Sequence, residues 1–145
     1  MKRISSLLIA LTLTTVTVAC APGPVEIRDW YYLGAVRSDL GGSCILMNDL
    51  GSATAGYAEL AGETANDGSG WEPIGTSEDG FTGSFDGQGH ETRDLFVSRP
   101  DQDYVGLFAH VSWTRSIDNV GVLENVGMID ADVTGSSKVG YSCGI

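Results

Sequence analysis

The seven aspartates from Asp86 to Asp132 (Asp86, Asp94, Asp101, Asp103, Asp118, Asp130 and Asp132) are the residues best suited to chemistry in this chain. Two carboxylates set on one face can protonate a leaving oxygen and activate water, as in the hydrolysis of glycosidic bonds. Most of the seven have a simpler reading. Asp86, between Phe85 and Gly87, has the setting of a turn residue whose carboxylate binds nearby backbone amides. Asp101 and Asp103 follow Pro100 and are expected in an exposed loop. A calcium site would need the ordered ligand spacing of an EF-hand or a nonapeptide repeat, and neither is present.

Other chemical signatures fail one by one. Gly87-Gln88-Gly89 begins a GxGxxG, but Thr92 stands where the third glycine belongs. His90-Glu91 lacks the second histidine of HExxH, and no serine lies in a GxSxG elbow. His90 and His110 have no partner at coordinating spacing. No catalytic residue, metal or cofactor is therefore expected. Trp30 and Trp71 fit packing positions, which leaves Trp113, in the polar stretch Ser112 to Ser116, as the tryptophan placed to contact a ligand such as a sugar.

The first twenty residues speak to location. Lys2 and Arg3 precede an uncharged run from Ile4 to Ala19, the make-up of an export signal and too short for a spanning helix. Thr17-Val18-Ala19-Cys20 resembles a lipobox, in which Cys20 becomes the lipid attachment site of the mature protein, with Thr17 where leucine is usual. The competing cut after Ala21 would leave Pro22 at the scissile bond and make the product an ordinary secreted protein. Losing Lys2 and Arg3 takes the eight basic residues to six against 19 acidic ones, and the formal charge from −11 to −13. Such a balance disfavours nucleic acid and anionic surfaces as partners and keeps a surface protein soluble. Cys44 and Cys143 are far apart and without CxxC spacing, and read as two small buried hydrophobes.

The elements that would position these groups divide into a leader and one domain. Residues 1–19 form the signal, 20–28 the lipidated cysteine and a linker that includes Ala21-Pro22-Gly23-Pro24, 29–80 a cap region, and 81–145 the repeats. Trp30, Leu33, Val36 and Leu40 recur at helical spacing before Gly41-Gly42, which predicts a short amphipathic helix. Cys44 to Met47 predicts a strand, and Tyr57 to Ala65 a helical turn before the loop Asn66 to Gly70. Past Trp71 come short β-type runs punctuated by Gly and Asp. Tyr104-Val105-Gly106 returns 34 residues later as Lys138-Val139-Gly140, and Asn119-Val120-Gly121-Val122 returns six later as Asn125-Val126-Gly127-Met128. Recurrent glycine beside short strands is what stacked repeats need, so Gly87 and Gly106 are expected to take φ > 0 or to sit where a Cβ would meet a neighbouring layer.

The same residues carry a family resemblance. Gly83-Ser84-Phe85-Asp86-Gly87-Gln88-Gly89-His90, Leu95, Tyr104-Val105-Gly106-Leu107-Phe108, Asn119-Val120-Gly121-Val122 and Val133-Thr134-Gly135 together resemble the opening of GLUG-motif proteins. These are bacterial and archaeal surface and secreted proteins, also found beside the protease domain of streptococcal IgA-specific metallopeptidases and in large adhesins. The likeness runs from about Trp30 to the end and takes in Leu46-Met47-Asn48-Asp49-Leu50 and Trp71-Glu72-Pro73-Ile74-Gly75. Departures are the His110 region in place of a glycine turn, Thr92 where isoleucine is common, and Tyr141-Ser142-Cys143-Gly144 where Gly-Leu-Val-Gly is usual.

The resemblance implies an all-β fold, the start of a right-handed parallel β-solenoid (β-helix) preceded by a short N-terminal capping helix, and no reaction. It makes Phe85, Asp86, Gly87, Gly89, Val105, Gly106, Leu107, Phe108, Gly121 and Gly135 the structural motif. The resulting expectation is a non-catalytic surface module for adhesion, scaffolding or ligand binding, attached to the membrane through its lipid and meeting surface glycans or proteins. The alternatives are a carbohydrate-active enzyme on the same fold, or the leader or stalk of a larger surface protein. A repeat begun at Lys138 and unfinished at Ile145 would further leave an open edge and a poorly ordered tail from about Gly135.

Overall fold

The computed structural model describes residues 23–112 and 120–140. The signal segment, Cys20, Trp113, Ile117, Asp118, Asn119 and Cys143 lie outside the described residues.

Short strands alternate with irregular turns. They are β1 (Val25–Ile27), β2 (Ser43–Leu46), β3 (Ser84–Asp86), β4 (Glu91–Arg93), β5 (Phe96–Val105), β6 (Val122–Glu124), β7 (Gly127–Ile129) and β8 (Asp132–Val139). All strand pairs are parallel. One sheet has the order β1-β2-β3-β6, a second is β4-β7, and a third is β5-β8.

This corrects the fold expected from the repeats. The described residues form three small parallel sheets of two to four strands, with a short α-helix and further helical turns, and not a clear right-handed all-β solenoid. The physical reason is unequal spacing. Partners lie 38 residues apart at Ser84↔Val122, 36 apart at Phe96↔Asp132 and 34 apart at Val105↔Val139. The long stretch between β2 and β3 touches the second and third sheets through the isolated bridges Leu50↔Thr92 and Gly70↔Val97. A stack of uniform rungs needs one constant period, and this chain does not keep one. The six-residue echo at Asn119 and Asn125 corresponds to no strand pairing among the described residues.

The helix forms as its apolar spacing requires, but it is shorter. Helix α1 (Trp30–Ala35) buries Trp30 and Leu33, and a 3-10 turn over Val36–Ser38 buries Val36. Asp29 caps it, its Oδ1 accepting from the Tyr32 amide at 2.9 Å. Strand β1 falls within the segment read as a linker. Tyr57–Ala61 forms one wide helical turn, and Ala65–Gly68 a 3-10 turn in which Asn66 and Asp67 take positive φ. β8 continues past Gly135 and pairs with β5 as far as Val139, where the sequence predicts a poorly ordered tail.

One apolar core joins these parts. Trp30 and Trp71 are both fully buried and meet edge to face with centroids 5.6 Å apart. Phe81 and Phe85 converge on Phe108 at 5.1 and 5.4 Å. Each indole nitrogen finds a carbonyl, Trp30 on Gly51 and Trp71 on Leu107, both at 3.0 Å, so neither leaves a polar atom unpaired in the core. Cys44, in β2 between β1 and β3, is buried and pairs with no other cysteine among the described residues, and burial pushes its pKa up.

Candidate ligand-binding groove

The motif residues are dispersed, and their roles are architectural. Phe85 lies in the core between the planes of Cys44 and Leu123. Gly87 and Gly106 have ordinary negative φ. Their need for glycine is closeness, since a Cβ would stand 2.4 Å from the Asn125 carbonyl oxygen and 2.2 Å from that of Gly140. Gly121 would meet the Phe81 carbonyl oxygen at 2.2 Å, and Gly135 the Val105 and Val139 side chains at 2.8 Å. Gly89 has φ +81° with open space around it. Val105, Leu107 and Phe108 are buried, and the Leu107 carbonyl accepts from both the Ile74 amide and the Trp71 indole.

The carboxylates are likewise spoken for locally. Asp86 accepts from the Gln88 amide at 2.8 Å and from the Asn125 side chain at 3.1 Å, and these bonds hold its pKa below the ordinary 3.8. Asp49 accepts from the Glu91 amide, which lowers its pKa first, and sits 3.2 Å from His90 Nδ1. Asp94 anchors Ser52 through backbone and hydroxyl contacts. Among the described residues no three His, Cys, Asp or Glu side chains gather as a metal site.

A pH dependence follows from Asp49 and Asp86. A carboxyl whose folded pKa is depressed adds stability above its unfolded value near 4, and that stability is lost as pH falls through the folded pKa. Thermal melts taken between about pH 6 and about pH 3 should therefore show a falling Tm at the acid end. Asp86→Asn, which keeps an acceptor for the Gln88 amide, should show a smaller fall. An acid-end slope identical to the parent's would mean that Asp86 contributes nothing to it.

Asp101 and Asp103 are in a different position. Both belong to β5 and not to a loop, and they are exposed. Pairing with β8 runs Arg99↔Gly135 and resumes at Asp103↔Ser137, so three residues of β5 face Ser136 alone. Such a bulge bends its strand and re-aims its side chains. It forms one wall of a groove of about 630 Å3, whose other wall is the loop from Glu72 to Ser77.

That loop is pinned on both sides. The Ile74 amide donates to Leu107 at 3.0 Å, and the Ala109 amide to Ile74 at 2.8 Å. Arg37 donates to the Glu72 carbonyl and lies over the Trp71 ring at 4.2 Å. Arg99 Nε donates to the Trp71 carbonyl at 3.3 Å. At the far end Lys138 lies 4.1 Å over the Tyr104 ring and bonds its hydroxyl, which raises the lysine pKa. Both residues have positive φ, at equivalent places on adjacent strands. The groove was not legible from the sequence, since its walls are separated by some two dozen residues and are brought together by tertiary contacts such as the Arg99–Trp71 bond and the Ile74↔Phe108 bridge.

No protein-family model matches the chain, and no solved structure does. An 82-residue stretch, 54% of the chain, is 46% identical to part of a halomucin from Haloquadratum walsbyi. Another match covers 55 residues at 34% identity, 38% of the chain, within a protein of Evansella cellulosilytica described as a Gly-rich membrane protein. The likeness is to surface- and membrane-type proteins. The chain spans 1% of the first relative's length and 6% of the second's.

Proposed function

We propose that this chain is an exported surface module of the GLUG-motif type, held to the membrane by an acylated Cys20, which works by binding a ligand or partner and not by catalysis. The observation that carries the surface setting in this reading is the 46% identity over 82 residues to a halomucin segment. The charged start and uncharged run from Ile4 to Ala19, the Thr17-Val18-Ala19-Cys20 motif and the strongly acidic composition support the same extracytoplasmic setting. The side chains that resemble the GLUG motif serve packing and turns in the structure, while the bulged edge of β5 offers a polar groove for binding.

The N-terminus tests the anchor. Mass spectrometry of the protein made in a bacterial host with a lipoprotein pathway is expected to find a diacylated Cys20, with the protein in the detergent phase. Cys20→Ser should leave uncleaved precursor. An unmodified N-terminus at Pro22 would overturn the anchor.

A further inference from the structure

We propose that the groove between the Glu72–Ser77 loop and the β5 bulge binds an uncharged saccharide. The inference deepens the binding-module reading and rests on it.

The lining chemistry narrows the ligand. Glu72, Asp101 and Asp103 supply carboxylate acceptors, while Arg99, Gln102 and Thr76 supply donors. Adjacent hydroxyls on a sugar ring each donate and accept, and a wall that alternates such groups satisfies them at short spacing. Three carboxylates against one guanidinium, on a chain of net charge −11, repel an anionic ligand. An apolar ligand would desolvate those charged groups with nothing in return, because Pro73 and Ala109 are the main aliphatic contributions to the lining. A bare cation is disfavoured by the absence, among the described residues, of three converging ligands.

The shape agrees. A volume of about 630 Å3 falls inside the range of small-molecule sites, roughly 300–1,000 Å3. The walls are fixed before any ligand arrives: the loop is bonded to Leu107 and Ala109, and Arg99 is held by the Trp71 carbonyl. Preformed walls spare a ligand the ordering entropy of the site. The bulge also takes Asp101 and Gln102 off the β5–β8 ladder, which turns their backbone groups toward other partners.

The test uses the full chain with neutral hexasaccharides (cellohexaose, maltohexaose and chitohexaose) and hexagalacturonate as the acidic counterpart, measured by calorimetry. At least one neutral probe should bind, with hexagalacturonate at least about tenfold weaker. The exposed pair Asp101→Ala with Gln102→Ala should weaken neutral binding by about tenfold through two lost hydrogen bonds, with an unchanged Tm. Asp67→Asn, outside the groove lining, should bind like the parent. Neutral binding that survives the double substitution would overturn the groove while leaving a binding module. Preference for hexagalacturonate, or no binding of any neutral probe, would overturn the saccharide assignment, and the state of Cys20 would then still decide the surface reading independently.

Discussion

Trp71→Ala is expected to be among the most damaging single substitutions in this chain, lowering stability by about 4 kcal/mol, as large aromatic truncations in packed cores do. Trp71 is fully buried, stacks edge to face on Trp30 and carries Arg37 on its ring. Its removal opens a cavity between α1 and the third sheet and loosens the loop from Glu72 that Arg37 ties down. The Leu107 carbonyl keeps the Ile74 amide as donor, so the cost is chiefly lost packing and not an orphaned acceptor. Trp71→Phe should accordingly lose only about 1–2 kcal/mol. Urea denaturation followed by circular dichroism reads both. Equal losses for the two variants would show that the hydrogen bond, and not the volume, dominates.

Gly83→Ala should be of similar severity for a different reason. A Cβ on Gly83 would lie 1.9 Å from the Gly42 carbonyl oxygen and 2.9 Å from the Gly41 carbonyl carbon. Neither is a side chain that can swing away. The same Gly42 carbonyl accepts the Ser84 amide at 3.1 Å, and the Gly83 amide donates to Leu40 at 2.9 Å. Relief must therefore come from parting β2 and β3, the middle pair of the largest sheet, at a cost of about 3 kcal/mol. Gly89→Ala is the internal comparison. There φ is +81° but nothing lies within 4 Å, so the penalty is the left-handed backbone alone, about 1 kcal/mol. If the two alanine variants unfold at the same denaturant concentration, the close backbone approach of adjacent layers is not what these glycines serve.

The local signals in the sequence were strong where one residue type has one use. The spacing of three between Trp30, Leu33 and Val36 became the buried face of α1 and of the 3-10 turn that follows it, and Cys44 to Leu46 fell within β2. The 34-residue return of Tyr104-Val105-Gly106 is a true strand pairing, Val105↔Val139. The uniform solenoid that this spacing predicts does not form, because the spacing is not general. Two extra residues of β5 at the bulge convert a separation of 36 into 34 within a single strand pair. A more telling echo lies at 36: Asp94 and Asp130 both take positive φ at matching turns before Val97 and Val133, which pair. Pro100 interrupts the run, so the sequence predicts a loop at Asp101 and Asp103. A proline is tolerated inside a strand at a bulge, where no ladder hydrogen bond is required of it. The groove that results depends on a tertiary bridge, which no local pattern encodes.

The proposed setting of this module is outside the cytoplasm, on the cell surface. Protease treatment of intact cells expressing the full chain, followed by immunoblotting, tests it most directly. The protein is expected to be digested while a cytoplasmic marker survives, and to partition with the membrane fraction before digestion. Protection from protease in intact cells, together with recovery in the cytosolic fraction after lysis, would contradict it.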